Sequence, residues 1–185
     1  MGKIEDLAAE FERHICIPWQ RTVAGAQRVV MVVYDKELER TLRARIAEFQ
    51  QRTEASGHAW HEHDFTNAFA EWMAAQDYKD AYFEEPSDLE SKIEGEFLEY
   101  VVAPVRELLR SAGENAVVAL TGVGSLYGFV HVSQVVKELE PDIEGRLVVF
   151  FPGSKNDHIY RLLDARDGWN YLAHSITHPG SGDRA

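Results

Sequence analysis

The chain alternates between two hydrophobic periods. Ile4, Leu7, Ala8, Phe11 and Ile15 recur at the spacing of one helix face, which predicts an amphipathic helix over 3–14 that Pro18 ends. Residues 28–34 are an unbroken apolar run after Arg28, the pattern of a strand covered on both faces. Asp35 then stands at a helix N-cap position, Leu38, Leu42, Ile46 and Phe49 form one stripe, and Ser56 and Gly57 close it. A second strand is expected over 58–65. Thr66 or Asn67 should cap a short helix that turns Phe69, Trp72 and Met73 inward, and 77–86 reads as an exposed loop. Ser87 and Glu90 have capping-box spacing. The long helix after them should bury Ile93, Phe97, Val101, Val105, Leu108 and Leu109, with Pro104 kinking or splitting it.

The stretch from Ala116 to Gly128 organises the rest. Ala116 to Leu120 are apolar and β-prone, Thr121, Gly122 and Gly124 form a tight turn, and Leu126, Phe129, Val130, Val135, Val136 and Leu139 follow at helical spacing. A further buried strand, 146–151, is closed by Pro152, Gly153 and Ser154. Strand, helix and strand make a βαβ unit with parallel strands. Residues 159–163 fit either period, Asp167 and Gly168 signal a turn, and 169–176 alternates as an edge strand would. The expected architecture is one three-layer α/β domain over 1–185, its mostly parallel sheet of four or five strands flanked by helices. Residues 1–18 would be an N-terminal helical segment and 178–185 a flexible tail. Functional surface in such sheets gathers beyond the carboxyl ends of the strands, here 122–127 and 152–158.

Composition narrows the function. No apolar run reaches the ~20 residues of a membrane helix, and 1–12 is too charged for a signal peptide. The single cysteine, Cys16, lies among Ile15, Ile17 and Pro18, reads as a small buried hydrophobe, and fits a reducing cytoplasm. The net charge of -12 argues against a phosphate-backbone binder, because Arg40, Arg43 and Arg45 are interleaved with Glu37, Glu39 and Glu48. No direct DNA binding is expected.

Candidate chemistry is sparse. Gly122, Gly124 and Gly128 lie between a strand and a helix, where a helix N-terminus could hold an anion. The spacing is one residue off the dinucleotide pattern, and the next strand ends in Phe151 and Pro152 rather than in an acid. The simpler reading is a turn that lets helix pack on sheet. A nucleotide-binding enzyme or regulator using Gly122, Gly124 and Ser125 is the alternative. His61 and His63 point to one strand face and are the most metal-like pair, with His58 nearby, whereas Glu62 and Asp64 alternate away. No nucleophile elbow surrounds Ser125, since Val123 stands where the first glycine belongs. No catalytic residue and no cofactor is assigned. Tyr78, Tyr82 and Phe83, set among Asp77, Asp80, Glu84 and Glu85, have the make-up of a partner-binding surface, and Tyr127 is a second candidate.

Leu120 to Tyr127 followed by Val148 to Gly153 resembles the BrxB family of bacterial BREX (bacteriophage exclusion) systems. Val33, Tyr34 and Asp35, then Asp64 and Phe65, then Asn170 and Tyr171 are similar to family positions, so the likeness runs from about Trp19 to Ile176. The family carries proline and arginine after its Leu-Tyr pair, where this chain has Gly128 and then His131. The resemblance implies a small cytoplasmic defence component without assigned catalysis. It would be an adaptor that assembles with other BREX components, the phosphatase-like PglZ foremost, and it could form a homodimer.

Overall fold

Three strands of this protein are buried at every position because helices cover both of their faces, and all but a few of their residues are apolar. They are β1 (Val29–Tyr34), β3 (Ala116–Thr121) and the first half of β4 (Arg146–Asn156). A computed structural model describes residues 2–178. With β2 (Ala59–Asp64) and β7 (His174–Thr177) these strands form a parallel sheet in the order β2-β3-β4-β1-β7. Val29, Met31 and Val33 face a cluster that takes in Phe97 and Val101 to Leu109, while Val30, Val32 and Tyr34 face one built on Phe11 and Phe49. Accordingly α1 (Lys3–Ile15) and α2 (Glu39–Ala55) cover one face. The other is covered by α3 (Ala68–Ala74), α4 (Lys79–Glu84), α5 (Ser87–Lys92), α6 (Leu98–Ala112) and α7 (Val132–Leu139). The chain winds outward over one face and returns over the other, so the expected three-layer α/β fold is the observed one.

Several local expectations need correction. The helix expected directly after the glycine turn does not start there. Val123–Leu126 is a 3-10 turn, Gly128 takes φ 84°, and α7 begins only at Val132. Pro152 and Gly153 do not close β4, which runs on to Asn156 and pairs antiparallel with β5 (Ile159–Leu162), itself paired with β6 (Trp169–Asn170). The single edge strand expected over 169–176 is therefore two, and β7 joins β1 instead. The 77–86 loop contains α4. Pro104 sits inside an unbroken α6, and the departure from α geometry is the π-turn Ile93–Phe97. Ser87 lies inside α5 with Pro86 at the cap, and Ser87 Oγ donates to Glu85 instead. Neither Asp35 nor Asn67 caps with its side chain, and Asp35 pairs with Lys3. Cys16 is exposed, its Sγ 3.2 Å from Ser56 Oγ. The expected tail, 178–185, lies outside the described residues apart from His178.

Candidate functional site: the surface beyond the carboxyl ends of the strands

The loop after β1 turns to one face of the sheet and those after β2 and β3 turn to the other, which makes the carboxyl ends the natural place for a site. A polar network fills the ground between α2 and β2. Arg43 donates through Nε to Glu39 (2.7 Å), through Nη2 to Thr66 Oγ1 (2.6 Å) and through Nη1 to Asp64 (3.4 Å). Asp64 also accepts from the Thr66 backbone N–H at 2.9 Å. Burial works to raise the Asp64 carboxyl, but the Thr66 hydrogen bonds and the Arg43 charge outweigh it and hold the group below the usual carboxylate range. Burial, and then the hydrogen bond donated to Glu39, push the Tyr34 phenol well up.

The glycine turn is wedged against this network. Gly122 takes φ 67°, and a Cβ there would collide with Asp64 Oδ1 and lie 2.6 Å from Thr66 Oγ1. Gly124 is different, because a Cβ would meet Pro152 Cγ at an ordinary 3.4 Å. Ser125 N–H donates to the Gly122 carbonyl, so the amide is used within the turn. A phosphate at Gly122 would meet the Asp64 carboxylate first, and the next α-helix along the chain begins only at Val132.

The second half of the surface is a cavity of about 540 Å³ between the 127–133 segment and the β4, β5 and β6 extension. Tyr127, His131, Phe151, Asp164, Arg166 and Trp169 are among its walls. Lys36, just after β1, pairs with Asp164 and ties the extension to the carboxyl end of the sheet. Tyr127 is 49% exposed at the cavity, and Phe129 beside it stacks on Phe69 of α3 at 3.8 Å. Tyr78 and Phe83, at and within α4, are 71% and 68% exposed. Tyr82 differs from them: its ring packs partly on the core, with Lys92 Nζ 5.6 Å from its centroid.

The histidines do not converge. His61 and His63 pair with Val118 and Leu120, so they share a face, but His63 packs against Phe65 at 4.9 Å. Burial holds His63 below the usual histidine range against the pull of Asp64 and Glu71. His58 is turned away, stacked on Trp19 at 3.7 Å. Among the described residues no group of three or more His, Cys, Asp or Glu is placed to hold a metal. The cavity walls contributed by Asp164, Arg166 and Trp169 were not legible as a site. Their one sequence signal, the Asp167 and Gly168 turn, marks a hairpin without saying what it faces.

No curated protein and no solved structure matches the chain. Residues 62–176, which run from β2 through the glycine turn and both walls of the cavity into β7, match the family model for BREX protein BrxB, so the chain belongs to that family and is a component of a BREX phage-defence system.

Proposed function

We propose that the protein is a non-catalytic adaptor that binds a larger BREX component, the phosphatase-like PglZ, through the surface beyond the carboxyl ends of its strands. The observation that carries this reading is the exposure of Tyr78 and Phe83, 71% and 68%, among Asp77, Asp80, Glu84 and Glu85. Aromatic side chains that are rigid, exposed and rimmed by charge anchor protein partners, and the rim steers the encounter. Tyr127, 49% exposed at the cavity, is a second candidate anchor. The adaptor acts in the cytoplasm, where the exposed thiol of Cys16 stays reduced.

The test is a pull-down from cells that co-express the neighbouring defence genes, with wild type and with Tyr78→Ala and Phe83→Ala combined. These two positions are chosen over Tyr82, whose ring contributes to the core. Wild type should recover PglZ, less of it as salt rises, and the double variant should recover at least about tenfold less, as for loss of two interface anchors. Failure of the wild type to recover any BREX protein would remove the adaptor reading. Undiminished recovery by a folded double variant would move the interface off this surface.

A further inference from the structure

At the amino ends of the strands, away from the surface just described, two arginines stand side by side, and among the described residues no carboxylate pairs with either. Arg146 is the first residue of β4, and Arg28 directly precedes β1. Val29 pairs with Leu147 in parallel register, so Arg28 and Arg146 are neighbours one step earlier, on the same face of the sheet. Like charges at opposed sheet positions are destabilising unless something offsets them. Arg146 is only 8% exposed. Burial and then the charge of Arg28 hold its guanidinium below the usual arginine range, and no carboxylate opposes them.

The hydrogen bonds repeat this pattern. Arg28 donates to the backbone carbonyls of Ile143 and Arg21, which fix its side chain, and its buried Nε–H has no acceptor among the described residues. Among the described residues Arg146 donates only to the Gly145 carbonyl beside it, at 3.0 Å. Neither forms an ion pair among the described residues, in a chain of net charge -12. Carboxylates are at hand yet do not approach. Glu114 is 3.0 Å from Arg21 instead, and Glu144 lines the same cavity without pairing with either arginine.

That cavity has a volume of about 360 Å³. Trp19 forms part of its wall, lying flat on His58 and carrying the Arg146 guanidinium 4.8 Å from its ring centroid. Asn115, bonded to His58 Nδ1 at 2.6 Å and to the Gly57 carbonyl at 3.0 Å, fixes the platform. Two guanidinium forks are thus held in place with donors unused. A planar guanidinium matches phosphate oxygens two at a time, and two forks supply the charge of a dianion. The volume is at the small end of ligand pockets, and the negative surplus of the chain disfavours a polyanion such as DNA.

We propose that this cavity binds a phosphate-type dianion, inorganic phosphate or the head of a small phosphomonoester, held by Arg28 and Arg146 beside the stacked Trp19 and His58. The test is a thermal melt of the full chain at fixed ionic strength in chloride, with inorganic phosphate, AMP, dimethyl phosphate or acetate added. Phosphate at several-fold excess over its Kd should raise Tm by roughly 2–4 °C, and the two monoanions should not. A shift with AMP at lower concentration than with phosphate identifies a phosphomonoester as the better ligand, and equal shifts identify phosphate itself. Arg146→Met should melt at or above wild type in chloride, because it removes an unpaired buried charge, and it should lose the phosphate shift. The phosphorus NMR line of inorganic phosphate, broadened by wild type and restored by Arg28→Gln, gives a second reading if Arg146→Met does not fold. A wild-type Tm that responds to phosphate no more than to acetate overturns the proposal, and so does an Arg146→Met protein that keeps the shift.

Discussion

Replacing one hydrogen by a methyl group at Gly122 would force the loop that carries Asp64 and Thr66 to move. The position needs glycine twice over, for its φ of 67° and for the carboxylate and hydroxyl packed against its Cα. Gly122→Ala should destabilise the protein by more than about 1 kcal/mol, the sum of a left-handed backbone and a displaced hydrogen-bond network. Gly124→Ala, with no positive φ and only an ordinary contact to Pro152, should cost less than about 1 kcal/mol. Urea denaturation of both variants separates the two positions, and equal losses would mean that the Asp64 contact is not tight. The need for a turn at Gly122 is legible in the sequence, because a β-prone run stops there. Its cause is not, because Asp64 lies far back along the chain and periodicity carries no information about contacts between elements. Cys16 fails for the same reason: three apolar neighbours suggested burial, but the last helical turn leaves it on the outside.

Between elements, the joint of α1 with β7 has the most chemistry. His14 of α1 stacks on His174 of β7, with ring centroids 3.6 Å apart and planes 8° apart. Burial first, then His174 and Arg146, bring His14 down from 6.5 to about 4. Burial lowers His174 as well, with Glu10 opposing and Lys155 assisting. Both rings are harder to protonate in the fold than in the unfolded chain, which takes up protons near about 6.5. Between those values the unfolded state binds more protons, so stability is complete above about pH 6.5 and falls as pH drops toward 4. His63 adds to the fall in the same direction, and Asp64, depressed in the fold, adds to it at the acid end. Tm should be lower at pH 5 than at pH 7.5, and His14→Phe, which keeps the stack without the charge, should recover part of the difference. Identical pH profiles for the two proteins would show that the stack does not couple to folding. The elements themselves were legible where a single face decided the pattern, as in α1, α2 and β1. They were misread where one apolar pattern serves two neighbours. Residues 169–176 alternate evenly, yet Trp169 and Asn170 pair with β5 while His174 onward pair with β1. Leu126 to Leu139 keep helical spacing, yet the chain turns at Gly128 and buries the same residues through a 3-10 turn and a later helix.

For the whole molecule, the sheet divides two cores that share only a backbone. Leu120 and Phe97 lie on one side, and Phe49, Phe11 and Phe150 on the other. The aromatic contacts respect the division. Phe11, Phe49, Phe150 and Trp60 form one aromatic set, Phe129 stacks on Phe69 and both meet Phe97 edge-on in another, and Phe151, Tyr160 and Trp169 extend the second side under the hairpin. A fold-class reading from sequence could reach this arrangement, because buried parallel strands require helices on both faces. The β4 extension could not be reached that way, since Pro152 and Gly153 resemble a strand end, and the cavity it builds was hidden with it. If the sheet makes the two cores one cooperative unit, a cavity cut in either must weaken the same transition. Leu120→Ala should cost about 2–5 kcal/mol and Phe49→Ala about 3–5 kcal/mol. The two sites face opposite sides of the sheet, so their costs should add to within about 0.5 kcal/mol in the double variant. Urea unfolding followed by tryptophan fluorescence and by far-UV circular dichroism should show one coincident transition for every variant. Two separated transitions, or a double variant far from the sum, would mean that the layers unfold independently and that the sheet does not couple them.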